Sequence, residues 1–154
     1  MKETIYTKTS ESLQQTLLTG EKIGSSISPG TVICLSGDLG SGKTALVQGI
    51  AKGLCVPAKY YITSPTYNII NQYPGKHPLF HADLYRINSS MELDDIGFYE
   101  ILNNKNIVAI EWAEKLKNHI SSNSININMQ ILDDTSRLIT IKLYKDNLID
   151  LKVL

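Results

Sequence analysis

Apolar residues recur along this chain in two rhythms: continuous or alternating runs that suit strands, and a three-to-four spacing that suits helices. The two meet most sharply in Thr31–Leu54, TVICLSGDLGSGKTALVQGIAKGL. Val32, Ile33, Cys34 and Leu35 form an unbroken apolar run, the pattern of a strand buried on both faces. Leu46, Val47, Ile50, Ala51 and Leu54 then recur at helical spacing, with Gly53 near the expected helix end. Upstream, Glu3–Thr9 leans toward strand. Ser10 is placed to cap a helix carrying Leu13, Leu17 and Ile23 inward, and Pro29-Gly30 turns the chain toward the central run. Downstream, Tyr60–Thr63 and Tyr67–Tyr73 read as strand, Pro74–Pro78 as a turn and Leu79–Arg86 as a returning strand. Ser89-x-x-Glu92 is a capping box opening a helical stretch Ser90–Leu93, and Phe98–Leu102 forms a further turn after Gly97. Ile107–Ile110 is a second apolar run, ending in Glu111-Trp112. Glu114–Ile120 reads as a short helix. Ser124–Leu132 and Arg137–Tyr144 alternate around Asp133–Ser136, an antiparallel hairpin with one wet face.

The segment between the first apolar run and its helix carries the chemistry. Gly37-Asp38-Leu39-Gly40-Ser41-Gly42-Lys43-Thr44 fits G-x-x-x-x-G-K-[ST], the phosphate-binding loop, in the required strand–loop–helix context. Its glycines let backbone N–H groups approach phosphate oxygens, and the helix N-terminus favours the same anion. Lys43 is expected to reach the β- and γ-phosphates and the Thr44 hydroxyl to ligate Mg²⁺. Glu111, at the tip of the second apolar run, has the position of the acid that holds Mg²⁺ directly or through water. Two further polar groups fall within chain reach of a nucleotide. Thr66, in Ser64-Pro65-Thr66, is either a turn residue or a mobile ligand completing the Mg²⁺ shell. Asp83 either pairs with Arg86 at a strand end or acts in catalysis.

Composition narrows the classes. At 154 residues with fifteen basic and fifteen acidic side chains, the chain has length for one domain, 1–154, and no net charge to predict a long nucleic-acid footprint. Cys34 and Cys55 are expected to be reduced, buried small hydrophobes. No apolar run approaches membrane-spanning length and the start does not open a signal peptide, which predicts a soluble cytoplasmic protein. The fold class expected is α/β: a P-loop NTPase-like three-layer fold with a mixed sheet, parallel around the nucleotide site and antiparallel at its edge.

Taken together, Gly37–Thr44, Ser64-Pro65-Thr66-Tyr67, His81-Ala82-Asp83-Leu84-Tyr85-Arg86, Glu92-Leu93 with Ile96-Gly97, and Ile110-Glu111-Trp112 resemble the TsaE family, also called YjeE. This is the small ATPase of bacterial N6-threonylcarbamoyladenosine (t6A) synthesis on tRNA. The resemblance covers about Ser36–Leu116, and the flanks fit only in pattern. It implies that Lys43 and Thr44 bind ATP and Mg²⁺, that Thr66 is a switch threonine, and that Asp83 positions or activates the attacking water. Glu111 becomes the metal-associated acid and Trp112 packs beside the site. It also implies TsaD-like and TsaB-like partners that stimulate slow hydrolysis, with tRNA engaged only through the complex. Tyr67 stands where the family often has Phe, and Ala113 where Pro is common. Two rival classes remain. One is a nucleotide-gated binding module without useful turnover. The other is a small-molecule kinase, which usually needs several lid arginines where this chain has only Arg86 and Arg137.

Overall fold

A computed structural model describes residues 3–103, 105–116, 124–144, 149 and 154. In chain order the elements are β1 (Thr4–Ser10), α1 (Leu13–Ser26), β2 (Val32–Ser36), α2 (Lys43–Gly53), β3 (Ile70–Tyr73), β4 (Leu79–Asp83), α3 (Ser90–Asp95), α4 (Phe98–Ile101), β5 (Ile107–Glu111), a 3₁₀ turn (Ala113–Leu116), β6 (Ser124–Ile131) and β7 (Arg137–Leu143). The seven strands form one sheet in the order β1-β7-β6-β2-β5-β4-β3. Pairing is parallel for β2 with β5, β2 with β6 and β4 with β5, and antiparallel for β1 with β7, β6 with β7 and β3 with β4. The sheet is therefore mixed, parallel around β2 and antiparallel toward both edges, on an α/β fold.

The apolar runs explain the centre. Strand periodicity sends Ile33, Leu35, Ile107 and Ala109 to one face, where they pack with Leu46, Val47 and Ile50 of α2. Val32, Cys34, Val108 and Ile110 go to the other face, against Leu93, Phe98 and Leu116. Both central strands are thus buried on both sides, which is why neither run needs polar alternation.

Helix α1 seats on α2 by a different device. Its buried residues are Thr16, Thr19, Gly20, Ile23 and Gly24, whereas Leu13 is exposed. A Cβ built on Gly49 of α2 would lie 2.1 Å from the Leu17 carbonyl oxygen and 2.9 Å from the Gly20 Cα, so the two backbones touch. The expected inward leucine stripe is replaced by a glycine contact. The cap also moves: Ser12, not Ser10, accepts the Gln15 N–H at 3.2 Å. Ser10 ends β1 and shares a buried hydrogen bond of 2.7 Å with the Thr16 hydroxyl.

Other boundaries shift for similar reasons. Tyr60–Thr63 is not strand, and β3 begins only at Ile70, because β4 offers partners for Ile70–Tyr73 alone. The returning strand stops at Asp83, leaving Leu84–Arg86 in the following turn. Cys34 is buried as expected, but Cys55 is exposed in a left-handed turn at φ +59°, and both are free thiols. Ser89 caps α3 at 3.4 Å while Glu92 reaches back to the Asn88 N–H at 3.3 Å. The hairpin β6–β7 forms as read. Of the helix expected over Glu114–Ile120, residues 117–120 lie outside the described ones.

Candidate functional site

The C-terminal ends of the parallel strands converge on the loop between β2 and α2, where open α/β sheets place ligands. Gly37 takes φ +140°, and a Cβ there would lie 2.3 Å from the Met129 carbonyl oxygen of β6. Only glycine lets the loop leave β2 so close to its neighbour. The Arg137 guanidinium braces the loop from the hairpin. It donates to the carbonyls of Ser41 and Gly40, both at 3.2 Å, and to those of Asp133 at 2.8 Å and Ser136 at 2.9 Å.

Lys43 opens α2 and curls back over its own loop. Its ammonium donates to the carbonyls of Gly37 at 2.6 Å and Asp38 at 3.0 Å, and lies 4.1 Å from the Trp112 ring centroid. Burial lowers its pKa from the ordinary lysine value, opposed by the charges of Glu111, Glu114, Asp83 and Asp38. A cation held out of water by the loop's own carbonyls suits a phosphate better than a solvated one would. Trp112 adopts φ +58°, a left-handed turn that ends β5 and swings the indole over Lys43 and against Tyr85, 5.0 Å between ring centroids.

Register assembles the carboxylates. Asp83 of β4 is the direct partner of Glu111 of β5. The Thr44 hydroxyl donates to Glu111 Oε1 at 2.8 Å and lies 3.1 Å from Oε2, joining two residues 67 positions apart. These are hard oxygen donors, and among the described residues no cluster of three or more His, Cys, Asp or Glu could hold a metal ion by itself. That set fits Mg²⁺, which takes one or two protein oxygens and completes its octahedron with phosphate and water. Thr44 and Glu111 are the residues that would hold it.

Asp83 accepts the Tyr85 N–H at 2.9 Å and a short hydrogen bond from the Ser64 hydroxyl. Its expected alternative partner, Arg86, makes no ion pair with it. The Arg86 guanidinium instead lies 5.0 Å from the Tyr67 ring centroid. Thr66 sits in a turn, its hydroxyl 3.5 Å from the Ser64 carbonyl oxygen, two residues along the chain from the group that binds Asp83 but not itself on Thr44 or Glu111.

A model of the TsaE family, described as threonylcarbamoyl adenosine biosynthesis protein TsaE, matches residues 10–139. The chain belongs to the TsaE family. Among similar TsaE proteins, all named for tRNA threonylcarbamoyladenosine biosynthesis, that of Treponema pallidum is 35% identical over 86% of this chain and 96% of its own length. That of Nostoc sp. is 42% identical over 80% of this chain and 77% of its own. The crystal structure of Bacillus subtilis YdiB superposes with a TM-score of 0.74 at 26% identity, over 96% of this chain and 91% of that one.

Three residues of this TsaE-family site carried no role in the sequence reading. His81 is fully buried and its Nε2 lies 2.8 Å from Glu111 Oε1. Its signal was the period of two that puts it on the same face of β4 as Asp83. Ser64 was visible only as the neighbour of Thr66. Arg137 had no signal, since it acts on backbone carbonyls 96 and 97 residues away.

Proposed function

We propose that this chain is a Mg²⁺-dependent ATPase, a single domain over 1–154, that acts in the cytoplasm with TsaD-like and TsaB-like partners in t6A modification of tRNA. ATP binding and slow hydrolysis would reset the transferase pair, with tRNA engaged only through that complex. The observation that carries the reading is the Thr44–Glu111 hydrogen bond, which joins the end of the phosphate loop to the acid of the adjacent strand. Gly37 to Gly42 offer backbone N–H groups to the phosphates, with Asp38, Leu39 and Ser41 shaping the turn. Lys43 exchanges its loop carbonyls for β- and γ-phosphate oxygens. Thr44 and Glu111, with Thr66 as a further oxygen, are the residues that would hold Mg²⁺, which would supply charge neutralisation to the triphosphate. Asp83, oriented by Ser64 and the Tyr85 N–H, positions the attacking water and accepts its proton. Trp112 packs beside the phosphates.

Separate steps distinguish the acids. Glu111→Ala is expected to raise the Mg²⁺ concentration needed for turnover, while Asp83→Ala keeps MgATP binding and loses most hydrolysis. Turnover of the chain alone, with each partner and with both, alongside a sizing column in ATP and ADP, tests the whole proposal. Full-speed hydrolysis by the isolated chain without nucleotide-dependent association would overturn it. The rival binding module draws support from Arg86, which lies over Tyr67 with no ion pair to Asp83. Without a further cation beside Lys43 and Mg²⁺ to stabilise the transferring phosphoryl, the isolated site is a slow catalyst, and equal turnover with and without partners would favour that module. A kinase is disfavoured because Arg137 spends its donors on four backbone carbonyls.

A further inference from the structure

We infer that His81 is a positioning residue for Glu111, fixing the orientation of the carboxylate that meets Thr44; the inference rests on reading Glu111 as the magnesium-associated acid. His81 stands in β4, fully buried, where every strand neighbour within two residues on its own side of the sheet is also removed from water. Its Nε2 lies 2.8 Å from Glu111 Oε1, and its Nδ1 is buried without a hydrogen-bond partner. A carboxylate only accepts, so Nε2 carries the hydrogen, and in the neutral ring Nδ1 then presents a bare lone pair to the core.

That lone pair is the informative atom. A buried acceptor with no partner is destabilising, and an apolar side chain of similar volume would remove the penalty. What an apolar side chain would lose is the donor to Glu111. Thr44 and His81 then hold the carboxylate from two directions, both short contacts falling on Oε1 at 2.8 Å. Oε2 keeps only the 3.1 Å contact to Thr44 and is the oxygen left to face a cation or its water. Removing the imidazole frees the carboxylate to rotate about its last torsion, in a pocket where water cannot replace the donor. Outer partners of this kind typically change metal affinity about 10–100-fold.

The test is calorimetry on the full chain with the β,γ-imido analogue of ATP, in Mg²⁺ and in EDTA, for wild type, His81→Leu and His81→Gln. In His81→Leu the Mg²⁺-dependent gain in affinity is expected to fall about tenfold or more, with affinity in EDTA unchanged. His81→Gln, whose amide nitrogen reaches the place of Nε2, recovers most of the gain. A folded Leu variant with the wild-type gain, or a Gln variant no better than Leu, overturns the proposal. Should the Leu variant fail to fold, long-range ¹H–¹⁵N spectra of histidine-labelled wild type and Glu111→Gln decide it. An Nε2–H tautomer whose resonance shifts on Glu111→Gln is expected, and an Nδ1–H tautomer overturns the inference. Wild type that binds the analogue with no Mg²⁺ gain instead refutes the metal reading of Glu111, and the proposal falls with it while the spectrum still reports the hydrogen bond.

Discussion

At the residue scale, Lys43 does two jobs that a solvated lysine does not. It satisfies the Gly37 and Asp38 carbonyls and waits under Trp112. Charge-assisted hydrogen bonds contribute about 1.5–3 kcal/mol, so Lys43→Ala is expected to weaken ATP binding by about tenfold to over a hundredfold. The same substitution uncaps the loop, and without ligand the melting temperature is expected to fall by several degrees rather than stay put. Trp112 fluorescence checks the coupling: nucleotide is expected to draw the ammonium off the indole in wild type, and the emission change to disappear in the variant. The two thiols make a contrasting pair. Cys55 is exposed and is expected to label within minutes with a thiol reagent at neutral pH. Cys34, whose thiol is pushed up to about 12 by burial, labels only as fast as the chain opens. Mass spectrometry over a labelling time course reads both. Nothing in the sequence separated these cysteines, because Cys55 follows an apolar helix and its exposure depends on a left-handed turn that composition does not encode.

At the scale of elements, the phosphate loop is held by its neighbours more than by itself. Arg137 ties it to the β6–β7 hairpin, so Arg137→Met is expected to reduce nucleotide affinity about tenfold while far-ultraviolet circular dichroism is unchanged, since the loss of a few charge-assisted bonds to carbonyls is local. Unaltered affinity in calorimetry would leave Arg137 a hairpin residue only. Helix α2 is held by its glycine contact with α1, and Gly49→Ala forces two backbones apart. Overpacking of that kind costs about 1–3 kcal/mol or more, and chemical denaturation is expected to show a lower midpoint with an unchanged slope. The central strands, the loop and the hairpin were legible because their residues specify them locally: Val32–Leu35 and Ile107–Ile110 are β-forming and apolar, and Gly37–Thr44 carries the glycines that a tight strand-to-helix turn needs. Tyr60–Thr63 misled because aromatic and β-branched residues favour a strand only when a partner strand exists. Leu13 departs from the expected inward position because α1 meets α2 through Gly20 and Gly24, with Ile23 the apolar side chain it buries. Of the site, Lys43, Thr44 and Glu111 were visible through motif and position. His81 and Arg137 were not, since their partners are set by strand register and by distant backbone.

For the whole molecule, two core clusters on opposite faces of one sheet make stability depend on β2 and its neighbours. Cys34 in β2 gives that dependence a pH signature. Its pKa is raised from 9.0 to about 12 in the folded chain, so above pH 9 the unfolded chain releases a proton that the folded one retains. Stability is unaffected by this group below that range and falls between pH 9 and 12, by about 1.4 kcal/mol for each pH unit at most. Thermal melts of wild type against Cys34→Ala isolate the effect: the variant is expected to lose less stability over that interval, and parallel curves would refute it. The strand order has one more consequence. Val32 pairs with Val108 on one side and Ser124 on the other, so the strand that launches the phosphate loop gains both neighbours from the last third of the chain. Closing such long segments is entropically slow, and a nascent chain emerges from its N-terminus first. The ribosome therefore displays the loop, with its glycines and its lysine, long before β5 and β6 exist to frame it. The framing of that loop is a late event in translation, timed by the emergence of β5 and of a hairpin that begins only at Ser124.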